Sequence, residues 1–274
     1  QSKCYFCNFA VDVRQGIDIH QAYTDTLCRQ LAMLHDALPK SVRVPGIDIG
    51  GGTPTLLQAD MLAQMMQALA PWKDRLSVEN GISIETTPAI AAEYRDRLDA
   101  LRDGGVDRVS MGIQSANAET LQAVNRRAQT DMNAKAVTNL RKTGFHRLNA
   151  DLIFGLPDQS LADWRESVER VIGEGFDSIT TYDCLYRGKG RAMTKRTADR
   201  PTPEKYLALY EMSHRLLQDA GYIADYGSLN YSRHRGETGT SAYFERRLLW
   251  HIPYVGVGNY ASSQIGNRWW FAPY

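Results

Sequence analysis

The sequence predicts an α/β protein built around a parallel sheet. Short apolar runs alternate with stretches of helical spacing between residues 19 and 186. The apolar runs are rich in β-branched residues and alternate only weakly between apolar and polar positions, as expected for strands that helices cover. Most of these runs end in glycine or polar residues, where turns begin. Repeated strand–helix units of this length favour a parallel sheet that is either doubly wound or barrel-like.

The individual elements follow from local patterns. In the first predicted helix, Tyr23, Leu27 and Leu31 recur at the four-residue spacing of one helix face. Helical spacing predicts helices over residues 19–38, 61–69, 89–102, 118–125, 132–143, 161–174 and 204–220. Apolar runs predict strands over residues 42–49, 81–85, 106–114, 147–156 and 178–186.

The composition of the chain changes near residue 187, and we place a domain boundary there. Residues 188–203 are rich in glycine and polar side chains, which predicts a loop. Residues 222–274 are rich in Tyr, Trp and Gly and have little helical spacing. We therefore expect a main domain over residues 1–187 and a small α+β appendage over residues 188–274 that forms a lid beside the substrate.

Composition excludes several classes of protein. The 274 residues include 32 basic and 31 acidic side chains, for a net charge of +1, and there is no long run of one charge. We expect neither a nucleic-acid partner nor a membrane partner, because no basic tract, spanning apolar run or secretory signal pattern is visible. Two of the four cysteines, Cys28 and Cys184, are isolated in the sequence, so a disulfide framework is not predicted. A reducing cytoplasmic location fits best.

A pair of cysteines at the start of the chain is the strongest sign of function. Cys4 and Cys7 are three residues apart, with aromatic residues between and after them. This spacing is typical of zinc sites, redox dithiols and iron–sulfur clusters. Structural zinc is poorly supported, because no second pair follows at finger spacing. A thioredoxin-like dithiol is also poorly supported, because it requires a strand before the motif and no such strand is predicted. An iron–sulfur cluster agrees best, although it needs more than two ligands.

The segment Cys-Tyr-Phe-Cys-Asn-Phe at residues 4–9 resembles the end of the radical S-adenosylmethionine (SAM) signature C-x3-C-x2-C in its HemN-like form. The resemblance implies a [4Fe–4S] cluster held by Cys4, Cys7 and a further cysteine immediately before Gln1. It also implies that Phe6, Asn8 and Phe9 lie beside the cofactors.

A glycine run, residues 50–52, follows the first predicted strand. It lacks the Lys of a P-loop and the spacing of a dinucleotide fingerprint, and a tight strand–helix turn is the alternative interpretation. The run is similar to the Gly-Gly-Thr-Pro segment whose carbonyl groups bind the amino group of SAM in radical SAM enzymes. That similarity assigns Gly51, Gly52 and Thr53 to cofactor binding.

Four later segments are similar to the same family in the same order. They are S-I-E at 83–85, R-V-S-M-G-I-Q at 108–114, V-N-R at 124–126 and N-A-D-L-I-F-G-L-P-D-Q at 149–159. The resemblance places Glu85 against SAM, Gln114 near its ribose and Arg126 on its carboxylate. It places Asp151 on a ribose or adenosine hydroxyl and Ile153 at the cofactor. The implied fold is a partial (β/α)6 TIM-like barrel with the C-terminal appendage.

Further catalytic candidates lie at the end of the last predicted barrel strand. Tyr182 and Cys184 are close to the point where a strand of such a barrel meets its cavity. Together with Gln114 and Asp151 they are the predicted catalytic residues. Packing in the core is the alternative role for Tyr182 and Cys184.

The C-terminal segments lead to a prediction of the reaction. Residues 226–231 and 255–261 look like altered versions of HemN-like segments, and the H-N-x-x-Y-W segment of haem chaperones is absent. We expect a class C radical SAM methyltransferase or cyclopropanase. Such an enzyme binds two SAM molecules and transfers a methylene to an sp2 carbon of an unsaturated or aromatic natural product. Its electron donor is a flavodoxin or ferredoxin. The alternatives are a coproporphyrinogen dehydrogenase-like oxidative decarboxylase and a HemW-like haem chaperone.

Overall fold

The computed structural model describes residues 3–7, 9, 16–78, 81–186, 192–227 and 229–272. A six-stranded sheet has its strands in chain order, with β1 to β5 parallel and β6 antiparallel to β5. The strands are β1 Ile47–Ile49, β2 Ile82–Thr86, β3 Arg108–Gln114, β4 Arg147–Phe154, β5 Ser178–Asp183 and β6 Asn230–Ser232. This arrangement confirms the predicted α/β class with a partial TIM-like barrel.

Helices follow or flank the strands. They are α1 Ile17–Ala37, α2 Ala59–Lys73, α3 Pro88–Glu93, α4 Arg95–Asp103, α5 Ala118–Ala123, α6 Asn133–Thr143, α7 Leu161–Glu174, α8 Pro203–Asp219 and α9 Ala242–Leu249. Short 3-10 helices cover Pro54–Leu56, Thr130–Met132 and Ala192–Asp199. Among the described residues, no helix is both long and apolar enough to cross a bilayer.

The predicted loop over residues 188–203 contains a 3-10 helix, Ala192–Asp199. Two other predicted elements differ from the structure for local reasons. The strand expected over residues 42–49 is reduced to β1, because Pro45 has no N–H to donate to a ladder. Before it, Val44 makes only an isolated bridge to Leu76. The helix expected over residues 89–102 is divided into α3 and α4 at Tyr94, whose φ of −117° and ψ of 78° are not helical.

The two faces of the sheet have different chemistry. Residues of the outer face pack with the helices into the main apolar core, where Trp164 is fully buried and its indole N–H donates to the Leu209 carbonyl at 2.9 Å. The inner face carries polar side chains at alternate positions, as the period of a strand requires. They include Ser83, Glu85, Arg108, Ser110, Arg147, Asn149, Asp151, Ser178, Thr180 and Tyr182.

The C-terminal part of the chain joins the barrel at two places. Strand β6 extends the sheet beside β5. The start of α9 lies against β1, where a Cβ atom on Gly46 would be 2.3 Å from the backbone nitrogen of Tyr243. A hairpin of β7 Ser262–Ile265 and β8 Arg268–Phe271 follows. The domain boundary near residue 187 stays a prediction, and residues 187–191 lie outside the described part of the chain.

Candidate functional site

The cysteine segment is fixed to the loop that follows α5. Within the segment, the backbone N–H of Cys7 donates to the carbonyl of Cys4 at 3.1 Å and closes a turn. The N–H of Tyr5 donates to the carbonyl of Val124 at 2.9 Å, and the side-chain amide of Asn125 donates to the carbonyl of Lys3 at 3.0 Å. These contacts hold both thiols on one loop at the carboxyl ends of the strands.

Phe6 anchors the turn between the two cysteines. Its ring packs against a small apolar cluster at the ends of β4 and β5. The buried members of this cluster are Val124, Ile153, Leu156, Cys184, Tyr186 and Met193. Phe9 is 62% exposed, and Asn8 lies outside the described residues.

The cysteine thiols agree in part with the ligand set of the predicted [4Fe–4S] cluster. Cys4 and Cys7 are free and half-buried, and an Arg126 guanidinium nitrogen lies 3.9 Å from the Cys4 sulfur. Burial raises the pKa of the Cys7 thiol, so a bound cation is needed to stabilise its thiolate at neutral pH. No group of three or more His, Cys, Asp or Glu with metal-binding geometry occurs among the described residues. The third cysteine expected before Gln1 therefore stays a prediction.

The glycine run forms a turn over Glu85. Gly51 and Gly52 have φ values of 81° and 58°, which favour glycine, and a Cβ atom on either would meet open space. The Gly51 N–H donates to the Glu85 carboxylate at 3.3 Å. A Cβ atom on Gly50 would lie 2.6 Å from Glu85 Oε1. The turn therefore packs closely against the Glu85 carboxylate. Thr53 follows the turn in an extended conformation.

Asp151 is held by polar neighbours on three strands. Ser110 Oγ donates to its carboxylate at 2.7 Å, and the Asn149 amide donates to it at 2.8 Å. The Asn149 oxygen in turn accepts from Ser178 Oγ at 2.8 Å. Ser110 is not among the site residues that the sequence predicts. Its position two residues after Arg108 on the same face of β3 is the pattern that could have found it.

The interior of the barrel is accessible to solvent and acidic. Glu85 is exposed to this open interior, but the surrounding strands desolvate it and Asp151 adds a negative charge, and together they raise its pKa to about 7. Desolvation also raises the pKa of Asp151, whereas its hydrogen bond from Ser110 and the charge of Arg108 lower it. Glu85 therefore changes charge near neutral pH.

Gln114 and Arg126 meet at an irregularity in the sheet. The pairing of β3 with β4 shifts between Gly112 and Gln114, and Gln114 has a φ of 71°. The Arg126 guanidinium donates to the Gly112 carbonyl exposed there. A left-handed backbone at a non-glycine residue is uncommon and marks functional sites more often than ordinary strand ends.

Tyr182 and Cys184 have different environments. Tyr182 is 42% exposed toward the barrel interior, and desolvation followed by the charge of Asp151 raises its pKa, so its phenol stays protonated at neutral pH. Cys184 is only 5% exposed, and burial raises the pKa of its thiol to about 12. The structure thus brings Glu85, Asp151 and Tyr182 to one interior face, and places Cys184 with the apolar cluster.

A separate cavity of about 720 Å³ lies on the outer face of the sheet. Phe154 and Asp183 line it from β4 and β5, and Tyr206 and Tyr210 line it from α8. These strand residues alternate with the inward-facing Ile153 and Tyr182, so the cavity is on the helix side and does not include the cysteine loop.

Three features lie at one edge of the partial barrel: a cysteine turn, a glycine turn and the polar ends of strands. Together they define a class of protein. The model of the radical SAM superfamily matches residues 1–171, and the chain belongs to that superfamily. Membership implies a [4Fe–4S] cluster and SAM as cofactors.

The relatives within the superfamily are HemN-like. Oxygen-independent coproporphyrinogen III oxidase from Paracoccus denitrificans is 31% identical over 80% of this chain and 48% of its own length. The haem chaperone HemW from Synechocystis is 26% identical over 98% of this chain and 64% of its own length. Coproporphyrinogen III oxidase (HemN) from Escherichia coli superposes with a TM-score of 0.81 and 25% identity, over 98% of this chain and 63% of that one. The chain spans about half the length of the oxidases it matches.

These relatives correct one prediction. The assignment to class C methyltransferases or cyclopropanases of natural-product biosynthesis is wrong, because the matching proteins are named coproporphyrinogen oxidases and a haem chaperone. The motifs up to residue 159 are common to the HemN-like group, so they do not distinguish members that catalyse different reactions. The C-terminal segments at residues 226–231 and 255–261 differ from the family pattern, but that difference does not indicate a methyltransferase.

Proposed function

We propose that the chain forms the catalytic barrel of a radical SAM oxidative decarboxylase that acts on a porphyrinogen. The observation that carries the proposal is the similarity to coproporphyrinogen oxidases over 80% of this chain, supported by the superposition on the Escherichia coli oxidase. The reaction removes a hydrogen atom from a propionate side chain and releases its carboxylate as CO2. A vinyl group forms, and one electron passes to an acceptor.

When bound, a [4Fe–4S] cluster and SAM would supply the one-electron chemistry that abstracts hydrogen from the substrate. Cys4 and Cys7 hold the cluster. Arg126 offers its planar fork to the carboxylate of SAM, because two parallel N–H donors match two carboxylate oxygens. Its position 3.9 Å from the Cys4 sulfur supports this role.

The inner face of the barrel orients SAM and the substrate in this proposal. Glu85 and the carbonyls of the glycine turn accept hydrogen bonds from the amino group of SAM, and Asp151 accepts from a ribose hydroxyl. The network of Ser110 and Asn149 leaves Asp151 little freedom to rotate. Tyr182 remains a neutral phenol and donates a hydrogen bond to a carboxylate of the substrate. The remaining residues assigned to SAM contacts are Phe6, Asn8, Phe9, Gly51, Gly52, Thr53, Gln114 and Ile153.

A second SAM molecule and a protein electron donor remain parts of the proposal. Phe9, which is 62% exposed beside the cysteine loop, is the residue proposed to border the second SAM. Equilibrium dialysis of the cluster-loaded protein should give two SAM molecules per chain, and one per chain would reject the second site. A flavodoxin or ferredoxin is the proposed donor. The reducing cytoplasm is the proposed location, because all four cysteines are free.

The test is an anaerobic turnover assay. Cluster-loaded protein receives SAM, a reductant, an electron acceptor and coproporphyrinogen III. We expect CO2 and 5′-deoxyadenosine in equal amounts, without S-adenosylhomocysteine. Deoxyadenosine formed without CO2, or no substrate-dependent deoxyadenosine, would overturn the proposal. Cys4→Ala should abolish both products. The matched control Cys28→Ala should keep them, since Cys28 lies on α1 with its sulfur 3.8 Å from the Gln64 carbonyl.

A haem chaperone is the second candidate function. The sequence match to HemW spans 98% of this chain, compared with 80% for the Paracoccus oxidase, although the Escherichia coli oxidase superposes over the same 98%. Against it, the haem-chaperone segment H-N-x-x-Y-W is absent, and α9 occupies the corresponding part of the chain. Stoichiometric haem binding without decarboxylation in the same assay would favour the chaperone.

A further inference from the structure

The cavity on the outer face of the sheet has an aromatic wall. Phe154, at the end of β4, is 2% exposed, and its ring centroid lies 4.9 Å from that of Tyr206 and 6.3 Å from that of Tyr210. The two tyrosines are four residues apart on α8, so they lie on one face of that helix. Rings at these distances pack well. The wall is therefore a surface against which a flat apolar group can pack.

Close approach of α8 to the end of β4 fixes this wall in place. Gly155 has a φ of 75°, and a Cβ atom there would lie 2.9 Å from a ring carbon of Tyr206 and 3.7 Å from the ring of Pro201. Leu229 lines the cavity from the segment before β6, and its carbonyl accepts from the Thr181 N–H at 2.8 Å. The cavity is thus bounded by segments that are fixed to the sheet.

Two opposite charges line the same cavity. Asp183 on β5 pairs with Phe154 in the register of the sheet, so its carboxylate lies beside the aromatic wall. Arg200 lines the cavity from the segment just before α8. Within the described part of the chain, neither side chain forms an ion pair. Both act on the phenol of Tyr206: burial and then the charge of Asp183 raise its pKa, and the charge of Arg200 lowers it.

This cavity is distinct from the proposed SAM site. Phe154 and Asp183 line it, whereas their neighbours Ile153 and Tyr182 face the interior of the barrel. Its volume of about 720 Å³ lies within the range of small-molecule sites, about 300–1,000 Å³. Sites of this kind are mostly apolar and contain a few polar groups that orient the ligand. The aromatic wall with two separate charges has that composition.

We propose that the cavity binds a zwitterionic amino acid with a large apolar or aromatic side chain. The ammonium group of the ligand, which has only donors, donates to the Asp183 carboxylate. The carboxylate of the ligand accepts from Arg200, whose planar guanidinium matches two carboxylate oxygens. The side chain of the ligand packs on the rings of Phe154, Tyr206 and Tyr210. A ligand with only one charge leaves either Asp183 or Arg200 without a partner.

The experiment is calorimetric titration of L-phenylalanine into the cluster-loaded protein with saturating SAM and no reductant. SAM fills the proposed interior site, so the amino acid cannot occupy it. We expect one L-phenylalanine per chain. Phenethylamine lacks the carboxylate and hydrocinnamate lacks the ammonium group, so each should bind about tenfold more weakly, the loss of one charge-assisted hydrogen bond. Phenethyl alcohol, which has neither charge, should bind more weakly than both.

Two charge-removing variants should separate the two contacts. Asp183→Asn should weaken L-phenylalanine and phenethylamine about tenfold and leave hydrocinnamate unchanged. Arg200→Gln should weaken L-phenylalanine and hydrocinnamate and leave phenethylamine unchanged. The matched controls are Glu211→Gln and Arg215→Gln on α8, where the two side chains pair with each other at 3.3 Å outside the cavity. Both controls should bind every ligand as the wild type does.

Three results would overturn the inference. The wild type could fail to bind L-phenylalanine, or it could bind phenethyl alcohol as tightly, which is the behaviour of an apolar cavity that does not recognise charge. Each variant could also weaken all the ligands by the same factor, which indicates general damage to the cavity. If a variant does not fold, the ligand series on the wild type decides. No porphyrinogen is present, so the proposed decarboxylation is tested separately.

Discussion

At the scale of single residues, the shape of the proposed SAM site depends on the space left by a glycine. Gly50 precedes the turn over Glu85, and a Cβ atom there would lie 2.6 Å from one carboxylate oxygen and 3.0 Å from the carboxyl carbon. Contacts this short force the carboxyl group to move. Glu85 cannot then keep both its hydrogen bond from the Gly51 N–H and its direction into the barrel interior.

We therefore predict that Gly50→Ala weakens SAM binding about tenfold while the protein still folds. The loss corresponds to one charge-assisted hydrogen bond, about 1.4 kcal/mol. Isothermal titration of SAM into the cluster-loaded protein measures it. The control is Gly173→Ala in α7, where a Cβ atom meets open space. Gly173→Ala should leave SAM affinity unchanged. If Gly50→Ala also leaves it unchanged, the turn can accommodate the added methyl group and the prediction is wrong.

At the scale of elements, the loop after α5 fixes the cysteine segment. Asn125 has a φ of 57° and donates to the Lys3 carbonyl at 3.0 Å. Glycine adopts the left-handed backbone readily, so Asn125→Gly keeps the backbone conformation and removes only this hydrogen bond. We predict several-fold faster iron loss to a chelator in Asn125→Gly, with thermal stability nearly unchanged. Equal rates of iron loss in the variant and the wild type would show that the Val124 and Arg126 contacts hold the segment without Asn125.

Helix α7 follows the turn after β4 and begins with a reciprocal cap. Ser160 Oγ accepts from the Asp163 N–H at 3.0 Å, and the Asp163 carboxylate accepts from the Ser160 N–H at 2.9 Å. Ser160→Ala should lower the free energy of unfolding by about 1 kcal/mol, because two helix-start donors depend on this pair. Urea denaturation measures the change. Thr138→Ala, at an exposed position inside α6, is the control and should stay within about 0.5 kcal/mol of the wild type.

At the scale of the whole molecule, the acidic interior makes stability depend on pH. Burial raises the pKa of Asp48, Glu85, Asp107, Asp151 and Glu174 in the folded chain. For Glu85 the pKa is about 7 when folded, against a reference of 4.5. A carboxyl with a raised folded pKa contributes stability that is complete below its unfolded pKa and is lost as pH rises through the folded value.

We predict that the urea midpoint of the protein without SAM is higher at pH 5.5 than at pH 8. Between these values the folded chain binds more protons than the unfolded chain, so stability decreases with rising pH. Hydrogen bonds lower the pKa values of Asp25 and Glu204, so these carboxyls change the stability only at more acidic pH. Glu85→Gln should reduce the difference between the two midpoints. A midpoint that increases with pH would contradict the raised pKa values.

Much of the fold could be predicted because its elements are locally encoded. Helix α7 agrees with its predicted range over residues 161–174, since its cap and its apolar spacing lie within the segment. The motif after β4 has a local cause as well: the buried Gln159 accepts from the Gly155 N–H at 2.8 Å and closes the turn. The addition of β6 beside β5 was not predicted, because its pairing joins residues about fifty positions apart.

The α/β class, the superfamily and the strand ends that carry the candidate site residues can be recognised in the amino-acid sequence. These are properties of short segments, in which spacing, glycine turns and caps act over a few residues. The surroundings of those residues depend on how distant segments pack together. The charge of Glu85 depends on Asp151 and Arg108, and Arg108 is held by Gly239 from the far end of the chain. Desolvation and Coulomb interaction depend on distance in space, which neighbouring positions in a sequence do not specify.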